Sequence, residues 1–202
     1  RLLQAAARAS SRAQRAIGAV AGMQRGQHAL RRFLLGDATR AAFTALGQPE
    51  KGQELLQEVD DAFAKVAEEH SDWADKTVTV ATRTSETWGA YVNDPRVTFF
   101  KNLGFTPSSE ISKLPLDENG WSVSLSPEQL DLLDADLLVA FPIFIDTKEI
   151  TDDAGWKLIP AVADGHSIVI DGDLSNAFSL ATPAATLYAI DQFTPLIEKA
   201  VK

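Results

Sequence analysis

From residue 37 onward, apolar positions follow two alternating rhythms, and each rhythm predicts a different element. Leu55, Val59, Phe63 and Val66 recur at spacings of three and four, with Leu56 alongside and Glu, Asp and Lys between them. That pattern predicts an amphipathic helix over residues 49–70, opened by Pro49. Before it, Asp37 is expected to cap a helix running to Leu46, with Gly47 as its stop. The rhythm then changes. Residues 76–82 are β-branched and predict a strand. Residues 83–93 read as a polar, aromatic loop. Asp94-Pro95 reads as cap and first-turn proline of a helix that Gly104 ends. Residues 121–125 read as extended. Ser126, Pro127 and Gln129 form a capping box whose helix leads into a strand over 136–141. A short helix is expected within 147–156, and a last strand over 167–170. Thr182-Pro183 opens a terminal helix with Leu187, Ile190, Ile197 and Val201 inward, and Pro195 should kink or interrupt it.

Short apolar strands alternating with helices imply an α/β fold: a three-layer α/β/α lobe with a mostly parallel sheet, preceded by a helical segment. Three regions follow. Residues 1–36 form a basic Ala/Arg-rich segment, residues 37–70 a helical linker region, and residues 71–202 the α/β lobe. The chain shows no internal repeat.

Composition sharpens this picture in three places. With 202 residues, 45% hydrophobic and 23% charged, the chain has enough apolar surface for a core. It has no cysteine, so disulfides and thiolate chemistry are excluded. The net charge of -9 conceals an asymmetry. Residues 1–36 carry seven Arg and no Lys, Asp or Glu, whereas the remainder sets 12 Lys or Arg against 28 Asp or Glu. An acidic body repels phosphates and argues against nucleic acid as a partner. The basic head admits three readings: an arm for an anionic surface, a segment without a role, or a shifted reading frame. No apolar run is long enough to span a bilayer, and the first residues, Arg1-Leu2-Leu3-Gln4, lack the apolar core and cleavage site of a signal peptide.

Catalytic and metal motifs are missing. There is no G-x-G-x-x-G, Walker loop or G-x-S-x-G. His28, His70 and His166 lie far apart, and each is read as structural. Asp60-Asp61 and Asp152-Asp153 are adjacent pairs whose side chains diverge on a helix. The sequence therefore predicts no enzyme, no catalytic residues, no metal ligands and no cofactor.

In parallel α/β sheets, ligands sit beyond the carboxyl ends of the strands. After the first strand come Arg83, Ser85, Trp88 and Tyr91. Phe141 and Phe144 end the second strong strand, Asn176 and Phe178 follow the last, and Trp121 precedes the capping box. Gathered at one edge, these side chains would suit a large anionic, partly aromatic ligand, with Arg83 meeting its oxygens. Taken singly, Trp88, Phe141 and Phe178 equally suit core positions under loops.

Several stretches, in order, resemble the second lobe of ferric-siderophore-binding proteins of ABC importers, the helical-backbone class that also includes cobalamin binders. They are residues 37–47, residues 94–105, Leu125-Ser126-Pro127-Glu128-Gln129-Leu130 followed by residues 134–139, and residues 160–171. The resemblance implies an extracytoplasmic lobe that binds a ferric siderophore, or haem or a corrinoid on the same fold, for delivery to an ABC-importer permease. A hydrolase or chelatase on a similar scaffold is the other alternative. The resemblance also places Arg83, Trp88, Tyr91, Trp121, Phe141 and Phe178 near the cleft and Glu128 where such lobes dock on the permease. By the same resemblance, a first lobe would precede Asp37, which residues 1–36 do not match, and membrane attachment would come only through a lipid anchor that this chain lacks.

Overall fold

The computed structural model describes residues 34–201. The expectations for residues 1–33, including the role of His28, lie outside the described residues. The described residues divide into two compact units, one ending at Asp61 and one beginning at Ala62.

In the first unit, α1 (Leu34–Ala45) turns through Gly47 at φ 75° into α2 (Pro49–Glu69), which continues past Asp61 into the second. The Gln48 N–H closes that turn on the Phe43 carbonyl at 2.8 Å. Asp37 does not cap α1. The described helix already includes Leu34, and Asp37 sits inside it, paired with Arg40 at 3.1 Å. A carboxylate near a helix start is favourable whether it caps or merely neighbours the amino end, so sequence alone did not separate the two. Gly52 of α2 packs on Phe43, where an added Cβ would come within 2.8 Å of that side chain.

The second unit is built on a six-stranded sheet. Its elements are β1 (Thr77–Arg83), β2 (Trp88–Tyr91), α3 (Pro95–Asn102), β3 (Thr106–Pro107), α4 (Ser109–Ser112), β4 (Ser122–Leu125), a 3₁₀ stretch (Pro127–Leu133) and β5 (Leu137–Pro142). There follow α5 (Lys148–Thr151), α6 (Ala154–Lys157), α7 (Pro160–Ala163), β6 (Ser167–Val169), α8 (Gly172–Leu180) and α9 (Pro183–Ala200). The strand order is β4-β2-β1-β5-β6, with β3 lying beside the start of β1. The pairings of β1 with β3, β1 with β5 and β5 with β6 are parallel; those of β1 with β2 and β2 with β4 are antiparallel. Three of these five pairings are parallel, and the three strands read from sequence stand side by side, from β1 in the middle of the order to β6 at its edge.

Three local expectations change. The loop expected over residues 83–93 contains a strand, β2, which folds back on β1 with Ala81 opposite Ala90 and Arg83 opposite Trp88. Its four residues, Trp-Gly-Ala-Tyr, were too few to show a period. The capping box is formed, with the Ser126 N–H donating to Gln129 Oε1 at 3.1 Å, but it opens a 3₁₀ stretch rather than an α-helix. Pro195 does not interrupt α9, which continues to Ala200. Pro195 faces solvent, while Ile190, Phe193 and Ile197 stay buried on either side of it. Their burial holds the helix through the lost hydrogen bond.

Side chains alternate across a strand, and cross-strand partners share a face. The register therefore sorts the sheet into two faces. The first carries Thr82, Gly89, Tyr91, Ser122, Ser124 and Phe141; the second carries Ala81, Arg83, Trp88, Ala90, Leu138 and Ala140. Phenylalanines cover the middle of the first face. Phe141 meets Phe178 edge-on at 6.2 Å, and Phe178 meets Phe193 at 5.1 Å and Phe99 at 5.4 Å. The second face packs on Ile111, Leu130, Leu133, Ile150, Trp156 and Ile159 from α4 to α7 and the 3₁₀ stretch. Helices on both faces complete the three layers.

His70 and His166 have structural surroundings. The His70 ring stacks on Trp73 at 4.2 Å, and His166 Nδ1 hydrogen-bonds the Ala200 carbonyl.

Candidate functional site

The expected aromatic cluster divides between the two faces of the sheet. Trp88 and Arg83 lie on the second face. Trp88 is 2% exposed and stacks on Trp156 at 5.5 Å with the rings nearly parallel. The Arg83 guanidinium lies over the Trp88 ring at 5.5 Å, and its Nη1 donates to the neighbouring Thr84 carbonyl at 2.6 Å. Arg83 is thus folded back along the sheet. Phe141 and Phe178 are buried in the first-face phenylalanine cluster.

The remaining residues scatter. Ser85 is exposed in the β1–β2 turn, and Asn176 is exposed on α8. Phe144 is fully exposed and adopts a left-handed backbone at φ 58°, a conformation that costs a non-glycine residue about 1–2 kcal/mol. Glu128 is exposed on the first turn of the 3₁₀ stretch. Its carboxyl is held below the usual range by its own backbone N–H first and by the Ser126 hydroxyl second.

Tyr91 and Trp121 do come together, on the outer part of the first face. There β2 and β4 carry small residues, and a groove of about 210 Å³ opens over them. Gly89 forms part of its floor. An added Cβ there would lie 3.3 Å from the Val123 carbonyl and 3.4 Å from Thr82 Cγ2. Ser122, Ser124 and Thr82 add hydroxyls to the lining. Thr84, Thr87 and Ile143 line it from the strand-end turns, and Asp117 and Asn119 from the loop before β4.

That loop is built to hold Trp121. Asn119 Oδ1 accepts from the Trp121 N–H at 2.8 Å and from the Ser122 N–H at 3.1 Å, while Asn119 Nδ2 donates to Ser122 Oγ at 2.7 Å. Ser122 Oγ donates to Asp117 Oδ2 at 3.0 Å. Gly120 takes φ 76°, which the reversal requires. The Trp121 carbonyl then receives the Val92 N–H at 2.8 Å, tying the loop to the end of β2. Asp117, Asn119 and Ser122 thus fix the backbone that carries the Trp121 indole.

Sequence reading missed Arg96. It lies over the Tyr91 ring at 4.3 Å and the Phe141 ring at 5.5 Å, with Asp94 at 3.5 Å from its Nη1. Asp94 caps α3 by accepting the Arg96 N–H at 3.0 Å, so one carboxylate serves both the cap and the ion pair. The Asp-Pro-Arg triplet signalled the cap; nothing in it signalled that the guanidinium would reach back over a strand. Among the described residues, no group of three or more His, Asp or Glu is placed to hold a metal ion, and no helix is long and apolar enough to cross a membrane.

No protein-family profile matches the chain, and no curated protein matches it significantly. Solved structures do. PiaA of Streptococcus pneumoniae TIGR4, in complex with ferrichrome, superposes with a TM-score of 0.64 at 22% identity, over 85% of this chain and 59% of its own. SirA of Staphylococcus aureus, complexed with staphyloferrin B, gives 0.65 at 23% identity, over 83% of this chain and 61% of its own. A Bacillus subtilis periplasmic binding protein of the FhuD fold-family, a component of a ferrichrome ABC transporter, gives 0.68 at 20% identity, over 79% and 60%. The chain has the FhuD fold. It spans about three fifths of the length of these FhuD-fold proteins.

Proposed function

We propose that this FhuD-fold chain forms one wall of an extracytoplasmic binding site for a ferric siderophore and hands its ligand to an ABC-importer permease. The groove flanked by Tyr91 and Trp121 carries the reading. Two aromatic side chains line it together with Gly89 and several hydroxyls, and such a surface suits a bulky chelate better than a small polar metabolite. The relatives crystallised with ferrichrome and with staphyloferrin B support the ligand class. The ferric ion here is cargo held by its chelator, so the chain needs no metal ligands of its own. Glu128, exposed and ionised on the second-face side, is the proposed permease contact.

Calorimetric titration of the chain with ferric siderophores tests the proposal. Saturable binding is expected, and Trp121→Ala should weaken it about tenfold or more, because truncating an aromatic anchor at a contact centre typically costs about 2 kcal/mol. Absence of binding to every ferric complex tried, or binding indifferent to Trp121→Ala, overturns it.

A further inference from the structure

The loop that carries Trp121 holds a chemically reactive pair. Of the four asparagines in the chain, only Asn119 is followed by glycine. Glycine has no side chain to shield its own amide nitrogen, and its backbone reaches conformations closed to other residues. That nitrogen can attack the asparagine Cγ. The N–Cγ bond forms, the Cγ–Nδ2 bond breaks, and the amide proton leaves with Nδ2 as ammonia. Water then opens the five-membered imide at one or other carbonyl, giving aspartate or isoaspartate. The reaction needs no cofactor and no second protein.

In the folded loop, attacking and leaving groups are both tied down. The Gly120 N–H donates to the Asp117 carbonyl at 2.8 Å. Asn119 Oδ1 accepts the Trp121 and Ser122 N–H groups, and Nδ2, the leaving group, donates to Ser122 Oγ at 2.7 Å. Attack requires loss of the Gly120 proton and rotation of the Asn119 side chain, and these bonds oppose both steps. The contacts that position Trp121 in the groove therefore also protect the pair. Residues 119–121 are only half-buried, so water reaches them, and a surface turn opens locally at a fraction of the free energy of global unfolding.

We propose that Asn119 is a self-modification site, protected by the bonds of its loop, whose deamidation irreversibly releases Trp121. The product has no Nδ2 to donate to Ser122 Oγ. It places a second carboxylate beside Asp117, which shares that hydroxyl, and like charges there repel. Isoaspartate also routes the main chain through the former side chain, so the acceptor of the Trp121 and Ser122 N–H groups moves out of place. An aged chain thereby loses the fixed indole of its groove, whatever ligand the groove takes.

The test incubates the chain at mildly alkaline pH, folded and in guanidinium chloride, and follows amide-to-acid conversion at each asparagine by peptide mass spectrometry. Conversion in denaturant should be fastest at Asn119. In the folded chain it should be at least about tenfold slower there, a factor that corresponds to about 1.4 kcal/mol of opening free energy. Ser122→Ala removes the acceptor of Nδ2 and should speed the folded reaction about threefold or more, the contribution of one hydrogen bond, with the denatured rate unchanged. Trp73, Trp88 and Trp156 are buried and Trp121 is half-buried, so acrylamide quenching of fluorescence reads Trp121 and should rise with the fraction converted. No preference for Asn119 in denaturant overturns the reactive pair. Equal folded and denatured rates, or a folded Ser122→Ala rate equal to the parent's, overturn the protection. Conversion that leaves quenching unchanged overturns the release of Trp121.

Discussion

Replacing Trp88 separates a core residue from a ligand contact, because the two roles predict opposite measurements. The indole is 2% exposed, stacked on Trp156 at 5.5 Å and covered by Arg83 at 5.5 Å. A buried indole removes about 150–250 Å² from water, which at about 25 cal/mol/Å² corresponds to about 4–6 kcal/mol as an upper bound. Measured truncations of buried Phe or Trp to Ala fall at about 3–5 kcal/mol once cavity and relaxation are included. Set against a typical domain stability of about 5–15 kcal/mol, Trp88→Ala should leave the lobe marginal. Trp88→Phe keeps most of the apolar volume and part of the stack, so its cost should be about 1–3 kcal/mol. The assay is urea unfolding followed by far-UV circular dichroism, since the substitution removes one of four tryptophan reporters. The midpoint should fall with the slope unchanged, the sign of lost stability without a change in exposed surface. Ferric siderophore affinity of folded Trp88→Phe should stay within about twofold of the parent. An unchanged midpoint together with a tenfold loss of affinity would refute the placement of Trp88 in the core.

Two further outcomes follow from geometry away from the groove. Asp136 Oδ2 accepts both the Thr77 N–H and the Thr77 hydroxyl, each at 2.7 Å, tying the starts of β1 and β5, and the backbone N–H first and the hydroxyl second hold its carboxyl below the usual range. A depressed folded pKa contributes stability that is complete above the unfolded value of about 3.9 and is lost as pH falls through the lower folded value. The unfolding free energy of the parent should therefore drop more steeply below about pH 4 than that of Asp136→Asn; parallel acid profiles would contradict this. Ala181 ends α8 at φ 49°, with its N–H on the Ala177 carbonyl. Ala181→Gly relieves about 1–2 kcal/mol of left-handed strain against about 0.5–1 kcal/mol of added chain entropy. It should raise Tm by a few degrees in calorimetry, and a lower Tm would show that Ala181 is not strained.

The strands at 77–82, 136–141 and 167–170, the helix opened by Pro49 and the Asp94-Pro95 start were all legible in the sequence. Each rests on a local cause: β-branched runs, three-to-four spacing, or a cap followed by proline. Helix periodicity also marked Ile190 and Ile197 as inward on α9, and both are buried. What sequence could not assign was the face on which each aromatic lands. That depends on register, because a one-residue shift in pairing sends every side chain of a strand to the other side. Trp88 and Tyr91 stand three apart in a strand too short to reveal its period. The antiparallel pairing of Arg83 with Trp88 sends both to the second face, and that of Tyr91 with Ser122 sends Tyr91 to the first. The groove exists only because β4 then brings Trp121, held by Asn119, beside Tyr91 from thirty residues further along the chain. Local chemistry determined which segments become strands and helices; long-range strand pairing decided which aromatics became core and which came to line the groove.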